Sequence, residues 1–447
     1  MNTIVTDKKV VIVGLGKTGL SCVRFLASQG CQLCVMDSRE EPPGLEGLHA
    51  DYPNVQCITG GFDQELLCSA TEIILSPGIA LATPEIQAAI KSGVRVRGDI
   101  DLFSEAAKAP IVAITGSNGK STVTTLLGEM AEQAGLNVGV GGNLGTPALE
   151  LLDNSCELYI LELSSFQLET TDHLSAESVV MLNLSEDHMD RYESKIAYLQ
   201  AKQRIFFGAK KVIVNDDEVL SQPLQAEGME LLHFGLNRAD LNKFSCMDID
   251  GQRHLVKGFD SILPVKDLKI CGEHNLSNAL AALALGTSVG LPMDAMANAL
   301  KSYKGLRHRC QHIRSVDGVD YINDSKGTNA GAAQTAISSI GANLDGKVLL
   351  IAGGDSKGAD ISGLLEPMQK FGKLALLFGQ DAELIEAVLK DKVETLRVAN
   401  LEQAVQQAKA RAEEGDAVLL SPACASFDMF KSYEQRGDMF EQEVLAL

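Results

Sequence analysis

The sequence predicts an α/β protein built from three domains with mostly parallel sheets. Short β-branched or leucine-rich runs alternate with longer helix-like stretches, the rhythm of parallel strands buried on both faces. Two of those strands run straight into glycine turns that open a helix: Gly14-Leu15-Gly16-Lys17-Thr18-Gly19 follows 10–13, and Thr115-Gly116-Ser117-Asn118-Gly119-Lys120-Ser121-Thr122 follows 111–114. At 447 residues the chain is also too long for one hydrophobic core.

The first domain, 1–98, reads as Rossmann-like. A strand at 10–13, a helix at 20–29 and a strand at 33–36 ending on Asp37 begin it; strands at 72–75 and 94–97 follow, and Gly98 marks the boundary. The second, 99–304, reads as a phosphate-loop ATPase-type domain. Its strands fall at 111–114, 158–162, 179–182 and 212–214, and its helices at 123–134, 275–289 and 291–303. Alternating stretches across 235–270 suggest a small antiparallel excursion. The third, 305–447, is again Rossmann-like, with strands at 348–352, 374–378 and 417–420. No repeat of solenoid period is present.

Charge excludes two classes of partner. With 59 acidic residues against 39 basic ones the net charge is −20, and no cluster of Lys and Arg opposes it. Nucleic acid and anionic membrane surfaces need a basic footprint. The polar start of the chain and the lack of a long apolar run predict neither export nor membrane insertion, hence a cytoplasmic protein, expected as a monomer. Ten cysteines lack regular spacing, which suits reduced thiols packed as small apolar groups. Cys31 and Cys34 form a CxxC, but in a strand an offset of three separates the side chains onto opposite faces, and no second pair completes a zinc site.

The 115–122 loop points to a nucleoside triphosphate. Gly116 and Gly119 permit a tight turn with inward N–H groups, Lys120 supplies a point charge for the outer phosphates, and Ser121 or Thr122 offers a hydroxyl to magnesium. The loop is short: Ile114 stands where a standard Walker loop has its first glycine. The earlier turn, Gly14-x-Gly16-x-x-Gly19 with Asp37 closing the next strand, matches the dinucleotide-binding fingerprint and by itself argues for a nicotinamide-dependent oxidoreductase. Glu162 closes an apolar strand and His188 lies in an acidic loop, both where an α/β sheet exposes its carboxyl ends. Because magnesium prefers oxygen, Glu162 and the Ser121 hydroxyl are its natural ligands.

The short loop resembles that of the Mur ligase and folylpolyglutamate synthase superfamily, whose members form amide bonds through acyl phosphates. Further segments follow the order of the D-glutamate-adding branch of the Mur ligases: Ser76-Pro77-Gly78-Ile79, Gly141-Gly142-Asn143, 161–167, Glu186-Asp187-His188-Met189-Asp190, Asn323-Asp324-Ser325-Lys326, Gly353-Gly354-Asp355 and 421–426. The resemblance spans essentially the whole chain. It implies an ATP-dependent ligase adding D-glutamate to UDP-N-acetylmuramoyl-L-alanine.

The same resemblance distributes roles. Thr18 and its neighbour Lys17 lie at the diphosphate, Asp37, Ser38 and Arg39 surround the uracil, and Ser76, Gly78, Asn143, Ser164 and His188 add contacts to this substrate. ATP would meet Gly116, Ser117, Asn118, Gly119, Lys120, Ser121 and Thr122, with Asn275, Asn278, Arg309 and Asp324 opposite. Two magnesium ions are implied, on Ser121, Glu162, His188 and Lys202, the last as a carbamate formed with carbon dioxide. By its place in a helical segment Lys202 is otherwise an exposed, solvated charge. Lys120, His188 and Lys202 are the implied catalytic residues. Lys326, Thr328, Lys357, Ser426 and Tyr433 would hold D-glutamate; the Asp-Asn-Pro-Arg segment of the diaminopimelate-adding relative is absent. Competing readings are the oxidoreductase, a nucleotide-hydrolysing switch protein, and the folylpolyglutamate relative, whose pterin substrate needs no uracil site.

Overall fold

A computed structural model describes residues 6–189, 191–225, 227–237, 239–270, 272–342 and 344–447. The chain forms three sheets. The first has five parallel strands in the order Gln56–Thr59, Cys31–Asp37, Thr6–Val13, Glu72–Leu75 and Arg95–Arg97. In this doubly wound order the strand direction of travel reverses beside Thr6–Val13, and ligand crevices form at that switch point. Gly14 lies there with φ of 95°, and a Cβ on it would stand 2.7 Å from the Ser76 Cβ. Only glycine permits that approach.

The second sheet has nine strands: Asp260–Pro264, Gln252–Lys257, Lys243–Ile249, Glu230–Phe234, Lys211–Asn215, Ser178–Met181, Ile111–Thr115, Leu158–Glu162 and Val138–Gly142. Ile111–Thr115 is wholly buried between two parallel neighbours, so the carboxyl ends of three adjacent strands deliver the phosphate loop, Glu162 and the loop that carries His188 to one place. The antiparallel hairpins expected across 235–270 extend this same sheet. Helices Lys120–Gln133, Glu273–Ser288 and Met293–Ser302 share a core cluster with its strands through Leu126, Leu127, Leu283 and Met296. A second cluster joins the first and second sheets, with Val10, Val35, Phe103, Leu161 and Tyr198 among its buried members.

The third sheet runs Gln311–Val316, Val319–Asn323, Ala417–Leu420, Val348–Ala352, Gly372–Leu377 and Glu394–Arg397, with one antiparallel pair at its edge. That pair, Gln56–Thr59, Val138–Gly142, Glu230–Phe234 and Glu394–Arg397 are additions to the sequence reading. Gln56–Thr59, Val138–Gly142, Gln311–Val316 and Glu394–Arg397 are half-buried edge strands without a continuous apolar run. In Val138–Gly142 the glycine at 139 is required by packing, because a Cβ would press on the Tyr159 ring. Among the described residues no helix is long and apolar enough to cross a membrane.

Candidate active site

The phosphate loop is built by its glycines and its neighbours. Gly119, at φ of 83°, caps helix Lys120–Gln133, and a Cβ there would run into the Asn278 amide. Ser117 Oγ donates to the Ser185 carbonyl at 2.8 Å and stands 3.2 Å from the Tyr198 hydroxyl; Asn183 receives the Asn118 N–H at 2.8 Å. The Lys120 ammonium folds onto the carbonyls of Gly116 and Ser117 at 2.8 and 2.9 Å. Burial lowers its proton affinity, against the pull of Glu162 and Asp187.

Lys202 departs from the solvated charge expected of a helical lysine. It lies in helix Lys195–Gln203, one turn after Tyr198, and both side chains point inward from the same helix face. Only 1% of Lys202 is exposed. Its Nζ donates to Gly116 O at 2.9 Å and lies 4.8 Å from the Tyr198 ring centre. Burial, then the nearby Lys120 charge, holds its pKa well below the ordinary lysine range.

Glu162 is buried at its strand end, with Oε1 accepting from Asn143 at 2.7 Å and Oε2 without a hydrogen-bond partner among the described residues. Burial pushes its carboxyl up, but Lys120, Ser121, Asn143 and Arg309 outweigh burial and hold it below the usual range. His188 adopts a left-handed φ of 58°, secured by its own N–H donating to Asp187 Oδ1 at 2.9 Å. Such a backbone costs a non-glycine residue about 1 kcal/mol or more, a strain that concentrates at functional loops. Among the described residues no group of three His, Cys, Asp or Glu side chains forms a ready metal cluster. A buried carboxylate oxygen with no partner beside a serine hydroxyl still suits an oxygen-seeking cation, completed by ligand oxygens.

The third domain closes the site. Arg309 Nη2 donates to Ser121 Oγ at 2.9 Å, and Asn329 reaches Asn118 Oδ1 at 3.3 Å and Asp187 Oδ2 at 3.4 Å. Lys357 pairs with Asp187 at 3.5 Å, while the Lys326 ammonium sits 3.8 Å over the Tyr433 ring, pushed by burial to a pKa of about 8. Ser426 is buried in the loop after Ala417–Leu420.

One cavity of ≈ 380 Å³ unites these groups. From the phosphate loop and second sheet it takes Ser117, Asn118, Gly119, Lys120, Ser121, Asn143, Glu162, Ser164, His188 and Lys202; from the third domain come Arg309, Lys326, Thr328, Lys357, Ser426 and Tyr433. Lys120, Lys202, Arg309, Lys326 and Lys357 face three carboxylates, Glu162, Asp187 and Glu434. An acidic protein thus concentrates cations in one cavity.

Other sequence candidates lie outside the cavity lining. Gly116 and Thr122 belong to the loop itself, and Asn278 backs it from helix Glu273–Ser288, together with Asn275 at 3.4 Å. The Asp324 carboxylate accepts from Ser421 Oγ at 2.6 Å and from Cys310 N at 3.2 Å, with burial raising its pKa to about 6. Lys17, Thr18, Asp37, Ser38, Arg39, Ser76 and Gly78 gather at the carboxyl ends of the first sheet. Buried Asp37 accepts from Leu15 N at 2.7 Å and from Arg39 Nη2 at 2.7 Å; burial pushes its carboxyl up, but those bonds hold it at about 2.

Sequence reasoning missed Tyr198, Asp187 and Asn329 as site residues. Tyr198 had a legible signal, four positions before Lys202 on one helix. Asp187 stood inside the Glu186–Met189 segment without a role of its own, and Asn329, an N-cap of helix Ala330–Gly341, carried no signal beyond capping.

A phosphate loop at the end of a parallel sheet and a third domain closing a cationic cavity are the architecture of a ligase, and not that of a dehydrogenase. Family profiles agree over three consecutive stretches: the Mur ligase MurD-like N-terminal domain at 8–98, the Mur ligase middle domain at 114–286 and the Mur ligase glutamate ligase domain at 308–424. The chain belongs to the Mur ligase family. It is 56% identical over 447 residues, the whole of both chains, to UDP-N-acetylmuramoylalanine--D-glutamate ligase of Pseudomonas syringae pv. syringae strain B728a. To the Pseudomonas aeruginosa PAO1 protein of that name it is 56% identical over 444 residues, 99% of each. In fold it is similar to MurF from Acinetobacter baumannii, with a TM-score of 0.62 at 15% identity over 97% of this chain and 93% of that one.

Proposed function

We propose that this protein joins D-glutamate to UDP-N-acetylmuramoyl-L-alanine, cleaving ATP to ADP and phosphate, in cytoplasmic synthesis of peptidoglycan precursors. The observation that carries this reading is end-to-end identity of 56% with a ligase named for that reaction. In this reading 1–98 holds the nucleotide-sugar, 99–304 holds ATP, and 305–447 selects the amino acid, within a monomer.

The alanyl carboxylate attacks the γ-phosphorus, forming an acyl phosphate and releasing ADP. The D-glutamate amine then attacks the acyl carbon, and the tetrahedral intermediate expels phosphate as the amine loses its proton. Carboxylate and phosphate are both anions, so Lys120 and Arg309 offset their repulsion. Lys326 and Lys357 bind the carboxylates of D-glutamate, with Thr328, Ser426 and Tyr433 around them. Closure by Arg309 and Asn329 excludes water, which would hydrolyse the acyl phosphate.

Glu162, whose buried Oε2 has no hydrogen-bond partner among the described residues, the Ser121 hydroxyl, His188 and Lys202 are the residues to hold magnesium, which supplies charge neutralisation when bound. Burial and the Lys120 charge lower the proton affinity of Lys202, which favours the neutral amine that carbon dioxide requires. Addition yields a carbamate and one proton, converting a group that repels a cation into one that binds it.

Phosphate release from ATP with UDP-N-acetylmuramoyl-L-alanine decides the substrate. D-glutamate should support turnover while L-glutamate and L-alanine should not; turnover with a pterin substrate or with L-alanine instead would refute the assignment.

A further inference from the structure

Arg191 is absent from the cavity lining, yet it ties the first domain to the second at the cavity's edge. Its Nη1 donates to Pro77 O at 2.7 Å and its Nη2 to Ile79 O at 3.2 Å, both in the turn after strand Glu72–Leu75. The same Nη2 meets Glu169 Oε2 at 2.8 Å, and the guanidinium lies 4.1 Å from the Phe166 ring centre. Phe166 is edge-on to His188 at 4.7 Å and stacks on Tyr192 at 6.0 Å; Tyr192 meets Tyr198 at 5.3 Å, whose hydroxyl stands beside Ser117 Oγ. The Arg191 N–H also donates to His188 O at 3.0 Å.

One planar cation therefore holds two carbonyls of the first domain and an aromatic stack that ends on the phosphate loop. A lysine cannot do this, because a point ammonium lacks the fork and the flat face. The turn it grips keeps its shape by itself: Ser76 N bonds Val13 O at 2.9 Å and Ile79 N bonds Ser76 O at 3.0 Å. What Arg191 fixes is the relation of that turn to the second domain, not the turn.

We propose that Arg191 is a positioning residue that sets the alignment between the first domain's nucleotide crevice and the phosphate loop, and so governs binding of ligands long enough to span both. The inference rests on assigning that crevice to the nucleotide-sugar. A misaligned pair of domains penalises a spanning ligand, while a ligand confined to one domain is indifferent.

Calorimetry on the full-length protein separates the possibilities. Arg191→Met should weaken UDP-N-acetylmuramoyl-L-alanine about tenfold or more while leaving UDP and ATP within about threefold. Arg191→Lys should remain impaired for the spanning ligand. Equal loss of UDP and the full substrate would mean local damage to the first domain, and no loss of either, or full recovery by lysine, would mean a bystander; each overturns the proposal. If Arg191→Met does not fold, Glu169→Gln, which loosens the guanidinium's anchor, must give the same pattern in weaker form. Asp37→Ala serves as the control for the underlying reading: it should weaken UDP and the full substrate together, and if it weakens neither, the crevice assignment fails whatever Arg191 does.

Discussion

Lys120 and Lys202 donate to the same oxygen. Both nitrogens lie within hydrogen-bonding distance of the Gly116 carbonyl, at 2.8 and 2.9 Å, although the residues come from different helices. Two ammonium groups on one acceptor repel each other, and burial together with the Lys120 charge lowers the proton affinity of Lys202.

Under the proposed carbamate assignment, Lys202→Ala should reduce turnover by about 100-fold or more, through loss of a metal-holding group rather than by unfolding the chain. Acetate entering the vacated space should restore part of the rate, and Lys202→Arg, bulky and permanently charged, should not respond to it. Phosphate release with and without acetate measures both. Full activity in Lys202→Ala would remove Lys202 from the mechanism.

Asp37 anchors Leu15 N and Arg39 at the crevice of the first sheet. Asp37→Ala should lower affinity for the nucleotide-sugar by about 10- to 100-fold, the range for losing a buried, charge-assisted network. ATP affinity should stay within a factor of about three, because its loop lies on a different sheet. Titration calorimetry with each ligand tests the division of labour, which equal losses would refute.

Lys357 rests on Asp187 and Lys326 on the Tyr433 ring, placements from which each can turn to a dicarboxylate. Lys326→Ala and Lys357→Ala should each raise KM for D-glutamate by about tenfold or more, with a smaller change for ATP. Steady-state kinetics with each substrate varied in turn makes the comparison; a defect confined to ATP would mean that the third domain has been misread.

Asp99 opens helix Asp99–Ala106 and is fully buried, with Oδ1 lacking a partner among the described residues and Oδ2 accepting a long 3.4 Å bond from Gln167. Burial raises its pKa to about 6. A raised acid binds its proton more tightly when folded, so stability is highest below the unfolded pKa near 4, falls as pH rises to about 6, and stays reduced above it. Asp99→Asn should stabilise the protein at pH 7 by about 2 kcal/mol and flatten the dependence between pH 4 and 6. Thermal unfolding across that range checks the sign.

The phosphate loop, the first glycine turn and the strand ends at Asp37 and Glu162 were legible in the sequence because each is a local matter. Gly14 and Gly119 need positive φ within a few residues of the motif they serve, and a buried parallel strand announces itself by its own apolar run. The edge strands Gln56–Thr59 and Val138–Gly142 were illegible for the same reason, since half-buried residues and glycines write no such pattern.

What only the tertiary structure decided is the state of the side chains in the cavity. Lys202 reads as an exposed helical lysine until Gly116, 86 positions earlier, is folded against it. Asp187 gains its meaning from Lys357, 170 positions away, and Arg191 from Pro77, 114 positions away. Burial and the field of neighbouring charges set proton affinity and alignment, and both depend on which distant segments share a space, a property that no window of the sequence contains.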